Sequence, residues 1–211
     1  LTPLQIWKDL KFDDLQKENI LHEDFFNVVL KNAFQNKFDL IIGNPPFEAK
    51  LTDAAKNIEK VKGENRKISI ILKSGQTQKK LVKLPDNQIS LLFLEQSVNL
   101  SKKGGLVCLI QPSGPLLYNN SSVQFRNYLF AKYNVPQIID FSHLNRVLFS
   151  SGKGKEKTGD VAVSSIFLKN ETSKGEYIAH IIPKRVKPNK EKIYFQLDSY
   201  DFYKVSITES L

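Results

Sequence analysis

The chain has 211 residues, 41% of them hydrophobic, with 31 basic against 22 acidic side chains for a net charge of +9. That apolar fraction supports a packed core and excludes a disordered tail, and the basic balance favours a polyanionic partner. A single cysteine excludes a disulfide framework or a Cys-rich zinc site.

No apolar run reaches the ~18 residues of a membrane span and no signal peptide opens the chain, so a cytoplasmic protein with no membrane partner is expected. Methionine is absent and the first residue is Leu1, which reads as a piece of a longer protein.

In chain order, residues 2–17 pattern as a short amphipathic helix with Leu4, Trp7, Leu10, Phe12 and Leu15 as its apolar set. Asn19-Ile20-Leu21 is a strand candidate, and Phe25 to Ala33 a helix. Phe38 to Gly43 is an apolar run stopped by Asn44-Pro45-Pro46, as in a buried parallel strand entering a rigid loop. Residues 67–72 and 79–84 flank a Ser74-Gly75 turn and predict a hairpin. A helix over 88–101 is expected to end at Gly104-Gly105. Leu106 to Ile110 then predicts a strand, 123–133 a helix, 135–141 a strand and 161–168 another. Strands alternating with helices predict a parallel-rich α/β sheet, whose ligands bind beyond the carboxyl ends of its strands. A further strand is expected near 177–182, followed by a Pro/Lys-rich connector.

The segment Asn44-Pro45-Pro46-Phe47 carries the chemistry. Two prolines remove two N–H donors, so the loop offers carbonyl oxygens with no local partner. Asn44 adds a side-chain acceptor, and Phe47 a flat face for a planar group. Two acceptors on one amino group turn its lone pair out of conjugation and stabilise the positive charge that develops there, without a general base.

On these residues the chain resembles the S-adenosylmethionine-dependent DNA N6-adenine methyltransferases of restriction–modification systems. The resemblance covers residues 19–170. It implies a partial Rossmann-like methyltransferase fold, a parallel-rich sheet with an antiparallel last strand, flanking helices and an inserted basic hairpin. It also implies that Asn44 and the Pro45 carbonyl hold the target amine, that Pro46 stiffens the loop and that Phe47 stacks on an adenine flipped from double-stranded DNA. Phe149, or else Phe167, would be a second aromatic at that base. Asp24 and Phe25 would contact the adenine of S-adenosylmethionine, with Asn44 also near the cofactor.

The family's Gly-rich loop has no counterpart before Leu21, so the expectation is a fragment, inactive alone, whose missing half lies upstream. Residues 1–170 would be the partial catalytic domain, with 48–87 its insert. Residues 171–211 would lead toward a target-recognition domain. In the family's sheet the first two strands lie between the third and the fourth, so their absence would expose apolar edges and favour self-association. A separate specificity or restriction subunit is a further expected partner. Methylation of a glutamine amide or an RNA base stays open, as does a silent DNA-binding or assembly fragment.

Residues 48–83 hold 10 basic and 4 acidic groups. Lys79, Lys80 and Lys83, with Arg66, are candidates for DNA phosphate contacts, against the alternative of a solvated hairpin. His22, Glu23 and Asp24 alternate across a chain and argue against a metal site. Cys108 reads as a small hydrophobe, and His143 and His180 as isolated packing or surface residues. Asp140, at a strand end, is read either as a loop cap or as lining the cleft.

Overall fold

The computed structural model describes residues 20–47, 50–144, 148, 161–173, 177–186 and 194–207. The helix expected over 2–17 with Trp7, the Gly/Lys loop over 150–159 and Phe149 lie outside the described residues.

A six-stranded sheet organises the molecule. Its strands are β1 (Phe38–Gly43), β4 (Ser101–Pro112), β5 (Asn134–Asp140), β6 (Val163–Lys169), β7 (Tyr177–Ile181) and β10 (Phe202–Ser206), in the spatial order β1-β4-β6-β5-β7-β10. β1 pairs parallel with β4 and β5 with β7, while β6 runs antiparallel to both β4 and β5. β10 is antiparallel to β7, so four of the six strands point one way. This is the expected parallel-rich Rossmann-like α/β architecture. The strands over 177–181 and 202–206 continue the main sheet.

Side-chain alternation divides the sheet into two unlike faces. One carries Val107, Leu109, Ile138, Ile166, Leu168 and Ile178, all buried. Helices α3 (Ile89–Leu100) and α4 (Val123–Lys132) pack on it. Helix α3 buries residues on every side, from Leu91 and Leu92 to Glu95 and Gln96, because helices α1 (Phe25–Leu30) and α2 (Asp53–Lys62) cover its back. Phe26 and Phe93 meet there at 4.6 Å between ring centres.

Four features differ from the sequence expectations. Residues 20–22 form no strand, and Ile20 and Leu21 are exposed: no neighbouring strand among the described residues satisfies their backbone. Helix α1 stops at Leu30, where Lys31 turns extended before a single 3-10 turn over Asn32–Phe34.

The insert holds helix α2 as well as the hairpin β2 (Lys67–Ile71) and β3 (Thr77–Leu81). Thr52 caps α2 by accepting the Ala55 N–H at 3.2 Å, and Ala55 and Ile58 are buried. Leu51, Ala54, Ala55 and Ile58 had the helical period, hidden among lysines.

Gly104 and Gly105 sit inside β4 rather than after the helix. They form an irregularity between the Phe38–Ser101 and Leu40–Leu106 partners, with Gly104 at φ +76°. A Cβ on Gly105 would lie 2.9 Å from the Lys102 carbonyl and 3.0 Å from that of Phe38, so only glycine fits.

The smaller strands β8 (Lys184–Val186) and β9 (Tyr194–Gln196) form a separate antiparallel pair within the expected connector. No helix among the described residues is long and apolar enough to cross a membrane.

Candidate active site

β1 and β4 run side by side in the same direction, with Gly43 opposite Leu109. A Cβ on Gly43 would meet Leu109 Cδ2 at 3.1 Å, so the strands approach closely where the proline loop departs. Beyond Gly43 the Asn44 side chain is exposed, Pro45 is buried, Pro46 is exposed and Phe47 is half-buried. The buried proline anchors the turn. It leaves an amide acceptor and an aromatic ring at the surface, at the carboxyl end of a parallel strand.

Asp24 caps helix α1, its Oδ1 accepting the Phe26 N–H at 2.8 Å. Its Oδ2 accepts from Thr52 Oγ1 at 3.4 Å. Thr52 lies five residues past Phe47, so the structure brings Asp24 to the chain leaving the proline loop. The Phe25 ring stacks on Phe93 with centres 4.5 Å apart and planes 25° apart. Its neighbour Phe26 is the fully buried member of the pair.

Arg66 is not a surface cation. It is 1% exposed and lies between two carboxylates: Nη1 and Nη2 each donate to Glu59 at 2.9 Å. Nε and Nη2 reach Glu95 at 3.0 and 2.7 Å. Nη1 also donates to the Val82 carbonyl at 3.2 Å, and the guanidinium lies 5.2 Å from the centre of the Phe125 ring. Burial alone would lower the Arg66 pKa, but both carboxylates overcome it and raise it. With every donor committed, this residue ties the insert to α3 and is unavailable to a phosphate.

The hairpin register separates the candidate lysines. Lys79 faces Ser69 across the strands and shares a side with Lys67 and Leu81. Lys80 pairs with Ile68, on the opposite side, where Ile68 and Ile70 line a cleft with Tyr128 and Lys132 of α4. Lys83 is exposed just beyond β3.

At the same end of the sheet lies a polar hub. Asp140, 2% exposed at the end of β5, accepts from Ser113 Oγ at 3.2 Å and from the Ser142 backbone N–H at 3.0 Å. Ser164 Oγ lies 2.6 Å from Ser113 Oγ and donates to Asp140 at 3.4 Å, and the Tyr118 hydroxyl donates to the other carboxylate oxygen. Burial pushes the Asp140 carboxyl up, but bonds from Ser142, Tyr118 and Ser113 outweigh it and hold it below the ordinary carboxylate value. Of the two strand-end readings of Asp140, the structure shows the loop cap: its carboxylate accepts the Ser142 N–H just after β5.

Sequence reasoning missed Gln111, fully buried on β4 opposite Ser164. Neither of its amide atoms has a hydrogen-bond partner. Its signal was a lone carboxamide closing an apolar strand. Cys108 is half-buried, and burial pushes its thiol up, so it stays protonated and packs as a hydrophobe. His180 faces the Tyr203 ring at 6.4 Å, and burial pulls its imidazole below the ordinary value.

Among solved structures, the methyltransferase subunit of a type I restriction-modification system from Streptococcus thermophilus superposes with a TM-score of 0.50 at 16% identity, over 75% of this chain and 29% of that one. The type IIG restriction endonuclease BpuSI gives 0.47 at 17% identity, over 83% of this chain and 20% of that one. The type ISP restriction-modification enzyme LlaBIII, bound to DNA, gives 0.45 at 14%, over 68% and 10%. The chain therefore spans less than a third of the length of these proteins, and at 16% identity the likeness to the first of them establishes the fold alone. No curated protein matches the sequence. Residues 3–148, which contain the proline loop, β1 and the helix-capping Asp24, match the model of the Eco57I restriction-modification methylase, and the chain belongs to that family.

Proposed function

We propose that this chain carries the target-amine side of an S-adenosylmethionine-dependent DNA methyltransferase, acting on N6 of adenine in a restriction–modification system. The carrying observation is the loop itself: an exposed Asn44, a buried Pro45 and a half-exposed Phe47 following a parallel strand.

The described residues fit one corner of the cofactor site. Among the described residues Asp24 Oδ2 is engaged only by the long 3.4 Å bond from Thr52 and can accept from a stronger donor. Phe25, stacked on Phe93, is held beside it. S-adenosylmethionine, when bound, supplies the methyl group on its sulfonium sulfur. The chain's own residues prepare the acceptor. The Asn44 side-chain carbonyl and the Pro45 carbonyl take the two N–H hydrogens of the amine, turning its lone pair outward. Their dipoles stabilise the positive charge growing on that nitrogen, and the surplus proton passes to water. Phe47 holds the extruded base by its face. Double-stranded DNA is then the substrate, and a specificity or restriction subunit or domain the expected companion.

The test is transfer of labelled methyl groups to adenine-containing duplex, by this chain joined to a Gly-rich cofactor unit upstream. Asn44→Ala is expected to lower transfer by about 10²–10³-fold, the scale of losing one preorganised polar group at a developing charge. Undiminished transfer by that variant would overturn the reading. So would methylation of a glutamine peptide or an RNA in place of the duplex.

A further inference from the structure

Tyr118 is oriented in an unusual way. A tyrosine in a folded protein ordinarily buries its ring and leaves the hydroxyl wet. Here the residue is 57% exposed, yet its hydroxyl donates to Asp140, a carboxylate that is only 2% exposed. The apolar end faces solvent and the polar end is tied inside.

The tether is stiff at both ends. Asp140 is fixed by Ser113, Ser142 and Ser164. The backbone carrying Tyr118 is a one-turn π-helix over Gly114–Tyr118, closed by the Asn119 N–H to the Gly114 carbonyl at 2.8 Å. Leu116, 1% exposed, plugs that turn into the core. Arg126 Nη1 clamps the far side by donating to the Asn119 carbonyl at 3.0 Å. Single π turns of this kind recur at functional sites.

Position gives the ring its use. The turn leaves β4 at the same end at which the Asn44–Phe47 loop leaves β1, and the two strands are parallel neighbours. β4 runs three residues past Leu109, the partner of Gly43, before it turns, so the two exits lie on neighbouring strands at one end of the sheet, staggered by about 10 Å along it.

We propose that Tyr118 is a second base-stacking platform, which receives a nucleobase of the DNA next to the one held at Phe47. An aromatic ring already fixed in one orientation loses little conformational freedom on stacking. This inference rests on the DNA-methyltransferase reading above and adds a DNA contact to it.

The experiment is fluorescence anisotropy of a labelled duplex carrying one unpaired adenine, titrated with the wild-type chain and with Tyr118→Ala, Tyr118→Leu, Tyr118→Phe and Phe47→Ala. Far-UV circular dichroism identifies the variants that keep the fold. Base–aromatic stacking implies that Tyr118→Ala and Tyr118→Leu bind about 5- to 100-fold more weakly. Tyr118→Phe retains the flat ring and most of the affinity. Unchanged binding by folded Tyr118→Leu, alongside weakened binding by Phe47→Ala, would overturn the platform and leave the DNA reading standing. Equal losses in Tyr118→Phe and Tyr118→Leu would overturn it too, because the tether rather than the ring would then be what matters. No binding of the duplex by the wild-type chain would remove the DNA reading and the platform with it.

Discussion

Asp140 shows how a buried charge is kept where an apolar surrounding would expel it. Tyr118, the Ser142 N–H and hydroxyl, and one hydroxyl of the Ser113–Ser164 pair donate to its two oxygens, and the bonds outweigh the cost of burial in setting its pKa. The folded-state pKa is therefore depressed below that of the unfolded chain. Such a group contributes stability that is present above its unfolded value, about 3.9, and is lost as pH falls toward the folded value. Asp140→Asn is expected to lower the urea midpoint at pH 7 and to flatten its fall below about pH 4 relative to wild type. Parallel acid limbs for the two proteins would show that the carboxylate is not the group titrating.

Residue-scale legibility followed sequence distance. The proline loop declares itself in four consecutive letters. Arg66 does not, because the carboxylates that bury it stand 7 and 29 positions away and only the packing of α2 on α3 brings them together. Read locally, it is one more cation in a lysine-rich stretch. In place it closes a three-charge network whose disruption would leave acids unpaired in the interior.

At the scale of elements, periodicity found what it could find. Helix α4, strands β5 and β6 and the first hairpin strand fall where alternation and helical spacing put them, whereas the second hairpin strand, expected over 79–84, runs over 77–81. Helix α2 was lost because lysines on its outer face diluted a four-residue apolar stripe. The glycines of β4 were misplaced because a glycine pair ends helices more often than it bends strands.

Strand register also refines the insert's expected role. The residue order Lys79-Lys80 suggests a single basic cluster, but adjacent strand residues face opposite ways. Lys67 and Lys79 share the outward side, and the alternation extends it to Lys83. Lys80 shares the side of half-buried Ile68 and Ile70. If the insert tracks a DNA backbone, Lys67→Gln, Lys79→Gln and Lys83→Gln together should reduce the slope of log affinity against log salt by up to about 3, near 0.9 for each phosphate no longer neutralised. Lys80→Gln alone should leave the slope unchanged. A triple variant with the wild-type slope would make the outward face a solvated surface only.

For the whole molecule, the decisive asymmetry is between the two faces of one sheet. The face under α3 and α4 is closed, with Val107, Leu109, Ile166 and Leu168 at most 3% exposed. On the other face the registered row Ile42–Cys108–Phe167 and the neighbouring Ile110 and Ile139 are exposed or only half-buried. β1 also bounds the sheet among the described residues, with Leu40 51% and Ile42 72% exposed. An apolar strand with one row of backbone groups unpaired is a template for further pairing. Contiguous apolar surface of this kind is uncommon on a protein that works as a monomer. The isolated chain should therefore self-associate. Sedimentation velocity is expected to give a coefficient that rises with concentration, and Leu40→Lys with Ile42→Lys should return it to the monomer value. Those two lysines act by placing charge on the edge, the device native sheets use against edge-to-edge growth, while the closed face and its core stay untouched. A wild-type chain that sediments as a monomer at every concentration would mean that the open face is covered from within the chain itself.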